Sequence, residues 1–345
     1  MSWRDCADAG GVLDAAAAAG ELRRARQAGQ TLDVLLSEEF PLSLADAYRV
    51  QDQVTAARLA AGQRRAGWKL GYTSLAMRAQ MGIEAPNFGP LTDVMLLASP
   101  ALLPGGALQP RVEPEIGLRL GRRLAGPCSA ADALDACEAA LACLEIVDSV
   151  WSGYRFTLAD NTADGSSAAW VVVGQEMPLD DLAELAVSLS VDGVVVGRAT
   201  GAAASGHPAA GLAWLAGQLA ERGQALEAGD LVITGGLTSA PPLEAGHRIS
   251  ASFGDERWSV EVRRPRELAV DDRQRRVTRL GQRLRVDGID LVRKQHGDGG
   301  RRNAGQSWFS ASRRPVSACW PSLSRAGLNS GATNRAAPLK VNSAA

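Results

Sequence analysis

A proline in the middle of an apolar run constrains this chain more than any other feature. The run is Gln109-Pro110-Arg111-Val112-Glu113-Pro114-Glu115-Ile116-Gly117-Leu118, and Pro114 argues against a helix there. On an extended strand, side chains two apart share a face, so Glu113 and Glu115 project together while Val112 and Ile116 face the other way. A third acid, Glu145, stands inside the β-type run Leu141-Ala142-Cys143-Leu144-Glu145-Ile146-Val147. A carboxylate in such a segment is costly unless something cationic receives it. Three converging acids with no spare histidine or cysteine describe an all-oxygen site for a hard divalent ion, Mg²⁺ or Mn²⁺.

The 345 residues, 46% of them apolar, suffice for a real core. The net charge of −1 hides an asymmetry. From Arg264 onward there are about 17 basic and 6 acidic residues, roughly +11, which leaves the first 263 near −12. The five cysteines are scattered and odd in number, without metal-type pairing, so neither a disulfide framework nor a zinc site is expected and a reducing cytoplasm fits. The start has no export signal, and no run approaches the ~18 apolar residues of a membrane span.

The organisation expected is α+β, in three parts. Residues 1–62 read as a helical N-terminal region in which Ser43 caps a helix that Gly62 ends. Residues 63–263 read as a β-rich core of short runs punctuated by glycine and proline: 97–103, 112–120, 144–150, 168–173, 187–196, 231–234, 248–253 and 258–262. Two helical stretches interrupt it, Ser129–Ala142 and one from His207-Pro208 to Gly223. Many strands with few helices between them argue against a doubly wound parallel sheet. Residues 264–345 form a basic tail, disordered from about 295, and its three aromatics give no platform for nucleic acid.

Lys69 in Gly67-Trp68-Lys69-Leu70-Gly71 is an ammonium among glycine and apolar neighbours, able to face an anion or simply to point into water. The turn-dense segment 80–93 ends in Asp93, and Asp160–Ser167 reads as a polar loop entering a strand. In Gly229–Thr238 a short buried strand leads to Thr234-Gly235-Gly236, whose backbone N–H groups can receive a carboxylate. His207 at a helix start reads as structural. Gly-x-Ser-x-Gly and the dinucleotide fingerprint are both absent.

Taken in order, Gly67-Trp68-Lys69-Leu70-Gly71, Phe88-Gly89-Pro90-Leu91-Thr92-Asp93, Val112-Glu113-Pro114-Glu115-Ile116, Leu144–Ser149, Ala163–Ser167, Gly206-His207-Pro208 and Gly229-Asp230…Thr234-Gly235-Gly236 resemble the 2-keto-4-pentenoate hydratase and 4-oxalocrotonate decarboxylase family of the fumarylacetoacetate hydrolase superfamily. The resemblance covers residues 40–262, and its strength lies in the ordered set. It implies a mixed β-roll core and a divalent metal on Glu113, Glu115 and Glu145. It also implies a substrate-facing Lys69 and Asp93 as the catalytic pair, with Ser167 in the pocket. Thr234 and Gly235 of the glycine loop join Ser167 as substrate-binding candidates. At 165 the family usually has asparagine where this chain has Gly165, which removes an amide from the expected pocket wall.

By that resemblance the substrates are 2-oxo or 2-hydroxydienoic acids from the meta-cleavage of aromatic rings. The expected reaction is hydration of 2-hydroxypenta-2,4-dienoate to 4-hydroxy-2-oxopentanoate. The alternative is decarboxylation of 2-oxohex-3-enedioate, for which Arg78 could pair with the distal carboxylate. A third reading is an inactive scaffold or partner subunit of the same fold. Homo-oligomerisation and a complex with a neighbouring pathway enzyme are expected on the resemblance alone.

Overall fold

The protein is described here from a computed structural model covering residues 3–8, 10–74, 78–79 and 82–266. The basic tail expected after residue 264 falls almost wholly outside the described residues. Three helices open the chain: α1 (Ala15–Ala28), α2 (Leu36–Glu39) and α3 (Leu44–Ala60). Asp14 caps α1 by accepting from Ala16 and Ala17 N, and Ser43 with Asp46 forms a capping box on α3. These helices bury Trp3, Leu22, Leu36, Phe40 and Val50 against Val150 and Trp151.

The remainder is sheet. Strands β1 (Arg65–Gly71), β2 (Asn87–Thr92), β3 (Leu96–Ala98), β4 (Ala101–Leu102) and β5 (Arg111–Leu120) are followed by the short helix α4 (Ala130–Asp135) and β6 (Cys137–Val147). Then come α5 (Leu158–Ala163), β7 (Ala168–Met177), β8 (Ala186–Val191), β9 (Val194–Thr200), α6 (Pro208–Glu221), β10 (Leu231–Ile233), β11 (Arg248–Phe253) and β12 (Trp258–Arg263). A seven-stranded sheet runs β2-β1-β10-β5-β6-β7-β3, and a five-stranded one runs β4-β12-β11-β8-β9. Both mix parallel and antiparallel pairs, as the expected α+β class requires.

The sheets meet closely at Gly174, where a Cβ would lie 2.8 Å from Ser259 O of β12 and 2.8 Å from Ala142 O of β6. Only glycine fits. An aromatic cluster ties the helices to the larger sheet: Phe88 stacks on Tyr48 of α3 at 4.6 Å and meets Trp68 of β1 and Trp214 of α6 edge-on at 5.6 and 6.1 Å.

Three local expectations are corrected. The helix expected over 129–142 stops at Asp135, capped by Ser129, and Cys137–Ala142 begins β6. Its alanines favour helix intrinsically, but pairing with β5 on one side and β7 on the other overrides that preference. The strand expected over 187–196 is a hairpin, β8 and β9, turning at Asp192-Gly193. The expected loop 160–167 is helical up to Ala163, with Thr157 and Asp160 forming the capping box of α5.

Candidate metal centre and active site

Strand β5 lies between β10 and β6, an unusual place for a proline. Pro114 is accommodated because β10 pairs only with residues 117–119. Its carbonyl accepts from Leu237 N in the loop beyond, so its ring nitrogen faces a stretch where the ladder requires no donor. The proline keeps β5 extended, and Glu113 and Glu115 share a face. In the antiparallel register with β6, Glu113 lies directly opposite Glu145 and Glu115 opposite Cys143. Like charges paired across a rung repel. Oxygens of all three glutamates come within 4.8 Å of one another.

Glu115 and Glu145 are fully buried and Glu113 is partly so. Glu115 Oε2 accepts from Gly235 N at 2.7 Å. Its Oε1 and Glu145 Oε1 have no hydrogen-bond partner. From β1, Lys69 Nζ approaches Glu145 Oε2 at 3.0 Å as an ion pair, outside well-aligned hydrogen-bond geometry, and donates to Ser166 O at 3.0 Å. One ammonium cannot balance three carboxylates. Burial, then the neighbouring Glu145, pushes the Glu113 carboxyl up to about 7, against the pull of Lys69. The same two causes hold Glu115 well above the carboxylate range. Burial alone would depress the Lys69 ammonium, but Glu145, Glu115 and Glu113 together outweigh it and raise its pKa. Buried carboxylate oxygens lacking donors, gathered at coordination range without nitrogen or sulfur, fit a hard divalent cation.

Of the cluster, Glu113 lines a cavity of about 320 Å³, together with Lys69, Tyr72, Arg111, Tyr154 and Ser167. Ser167 and Lys69 are therefore brought together with the glutamates. The turn that carries Ser167 is left-handed at three successive residues, Gly165, Ser166 and Ser167, with φ of 70°, 57° and 56°. Such backbone is uncommon for serine. It places Ser166 O on Lys69 while Ser167 Oγ accepts from Asn161 Nδ2 at 2.9 Å.

Position 165 also explains itself: glycine and asparagine are the residues that adopt left-handed φ most readily. A Cβ at Gly165 would meet nothing within 4 Å, and the amide in the cavity wall comes from Asn161 instead.

Asp93 does not join the site. It starts a 3₁₀ turn after β2, where it accepts from Arg64 N and pairs with Arg64 Nε at 3.0 Å on the surface; these bonds hold its carboxyl below the usual range. The structure turns Thr234 and Gly235 toward β5 rather than into the cavity, with Thr234 Oγ1 donating to Ile116 O and Gly235 N donating to Glu115. Gly236 is the loop residue that reaches the cavity. Arg78 donates to Tyr72 O at 2.9 Å and is not in the lining. His207 caps α6, its Nδ1 accepting from Ala209 N.

Sequence reasoning missed Asn161, Tyr72 and Arg111. Arg111 was within its reach, because it precedes Glu113 by two on the same strand face. Its guanidinium stacks 4.9 Å from the Tyr154 ring centroid and donates to Ala240 O at 3.3 Å.

Residues 71–263 match the family described as Fumarylacetoacetate (FAA) hydrolase C-terminal. The chain belongs to this family. The fumarylacetoacetate hydrolase relatives similar to it include 4-oxalocrotonate decarboxylase of Pseudomonas sp. (strain CF600), 35% identical across 63% of this chain and 85% of that one. Another is 2-keto-4-pentenoate hydratase 1 of Dechloromonas aromatica (strain RCB), 36% identical across 70% of this chain and 94% of that one. Among solved structures, 4-oxalocrotonate decarboxylase from Pseudomonas putida G7, complexed with magnesium and adipate, superposes with a TM-score of 0.69 at 32% identity, covering 72% of this chain and 97% of that one. The α+β fold of the fumarylacetoacetate hydrolase type follows from both comparisons.

Proposed function

We propose that this chain is a divalent-metal lyase that hydrates 2-hydroxypenta-2,4-dienoate to 4-hydroxy-2-oxopentanoate. The observation that carries the proposal is the buried cluster Glu113, Glu115 and Glu145, paired with Lys69 at a cavity sized for a small acid. These glutamates would hold Mg²⁺ or Mn²⁺, as the Pseudomonas putida G7 relative holds magnesium. Held there, the ion would supply Lewis acidity toward a bound 2-oxo acid.

The chain's own groups supply the rest. Lys69, fixed by Glu145 and Ser166 O, keeps its positive charge beside the cluster and attracts the substrate's carboxylate end. Ser167 Oγ accepts from Asn161, so its own proton is free to be donated to a substrate oxygen or to the water that adds at C4. Tyr154 and Phe156 give the cavity apolar faces that exclude other water.

A second reading, decarboxylation of 2-oxohex-3-enedioate, is favoured by Arg111, a cavity guanidinium able to receive a second carboxylate. The third reading, an inactive partner subunit, has only relatedness behind it. Homo-oligomerisation, association with a neighbouring pathway enzyme and a cytoplasmic location belong to the same proposal.

The test is a parallel ultraviolet assay on the dienoate and the diacid, with Mg²⁺ and with chelator, and with product identification. Metal-dependent formation of 4-hydroxy-2-oxopentanoate supports the hydratase. CO₂ release from the diacid alone transfers the assignment to the decarboxylase, and inactivity on both favours the partner-subunit reading or another substrate.

A further inference from the structure

A second, smaller cavity lies between α1 and α3, with Asp164 and Gly165 in its wall. The next two residues of that turn, Ser166 and Ser167, line the active-site cavity, so one turn separates the two spaces. The smaller has a volume of about 30 Å³, room for roughly one or two waters or an ion of that size. Arginines dominate it. Helix α1 contributes Arg23 and Arg26, three apart on one face, and α3 contributes Arg58, on the face that also carries Gln51, Val54 and Thr55.

The three guanidiniums differ in their partners. Arg26 is held by Asp164, with Nη2 at 2.7 and 2.8 Å from the two carboxylate oxygens and Nε at 3.2 Å from one of them. Asp164 is thereby committed, and it also accepts from Val150 N. Arg58 has no carboxylate partner among the described residues; its Nη1 donates to Met95 Sδ at 3.2 Å, a weak acceptor. Arg23 makes no ion pair among the described residues. Burial, then the positive charge of Arg26, pulls the Arg58 pKa down to about 10 against the opposing charge of Asp164, with Arg23 adding to the effect. The neutral donors are already committed: Gln51 Nε2 to Phe88 O and Thr162 O, and Thr55 Oγ1 to Gln51 O.

We propose that the cavity between α1 and α3 binds a small monovalent anion between Arg23 and Arg58, with the Arg26–Asp164 pair as its rear wall. Because neutral donors contribute nothing, recognition is by charge and size, admitting halide or formate and excluding anions too large for the space. The bound anion braces the Asp164–Ser167 turn from behind, and through Ser166 O it steadies Lys69. This inference is independent of which reaction the chain catalyses.

The test is the melting temperature of the full chain at constant ionic strength, with sodium gluconate replaced stepwise by chloride, bromide or formate. The expected result is a saturable rise of roughly 2–4 °C with the small anions and none with gluconate. Arg58→Gln and Arg23→Gln should each abolish most of the rise. Crystals soaked in bromide should show an anomalous peak between the two guanidiniums, a readout that stands even if Arg58→Gln fails to fold. The chloride and formate arms separate an inorganic from a carboxylate ligand. A rise that is equal in gluconate or unchanged in Arg23→Gln, or bromide maps without a peak in this cavity, overturns the proposal.

Discussion

At the scale of single residues, the rung that pairs Glu113 with Glu145 governs both chemistry and stability. The folded Glu113 carboxyl titrates at about 7, against about 4.3 for an unperturbed glutamate. The folded state therefore holds a proton that the unfolded chain has released, and this contribution to stability is lost as pH rises through about 7. Melting curves of chelator-treated protein should show Tm falling between about pH 4 and 7, a slope that Glu113→Gln should reduce, with Glu115 retaining the rest. Mg²⁺ competes with that proton, so its stabilising effect should be larger at the alkaline end of the range. Glu145→Gln alters a proposed metal ligand and leaves Lys69 without its closest acid; metal-dependent turnover should fall by about 10²-fold or more, with weakened Mg²⁺ binding by calorimetry.

Elements show why some of this was legible in the sequence and some was not. Period-two spacing and the proline were enough to place Glu113 and Glu115 on one strand face, and an acid amid apolar residues was enough to single out Glu145. The register that sets 113 against 145 depends on pairing between distant segments, which no local pattern encodes. Asp93 is named as catalytic on the resemblance alone, and locally an acid at the end of a turn reads the same whether it faces a ligand or, as here, Arg64 on the surface. The alanines of β6 read as helix until two neighbouring strands claimed them. The turn at 165–167 was hidden because two of its left-handed residues are serines. Gly165→Asn should be tolerated there, whereas Gly165→Val should cost about 1–2 kcal/mol in chemical denaturation. Gly174→Ala, with backbone oxygens of β6 and β12 at 2.8 Å from the new methyl, should cost about 1–3 kcal/mol by the same measurement.

For the whole molecule, the family match ends at residue 263. Deleting residues 270–345 should leave Tm and turnover nearly unchanged, as checked by melting curves and by the assay on dienoate and diacid. Among the described residues no helix is long and apolar enough to cross a membrane. The acidic rung has a further consequence for how such a chain drifts over generations. Three buried carboxylates sharing one ammonium weaken a fold that could be made firmer by replacing them with leucine or methionine. A descendant released from catalysis would gain stability only by replacing the acids together with Lys69, because losing Glu145 alone strands the buried ammonium and losing Glu115 alone strands Gly235 N. A chain that still carries all three is retaining a handicap, which makes selection for use a better account of this sequence than survival as an idle subunit.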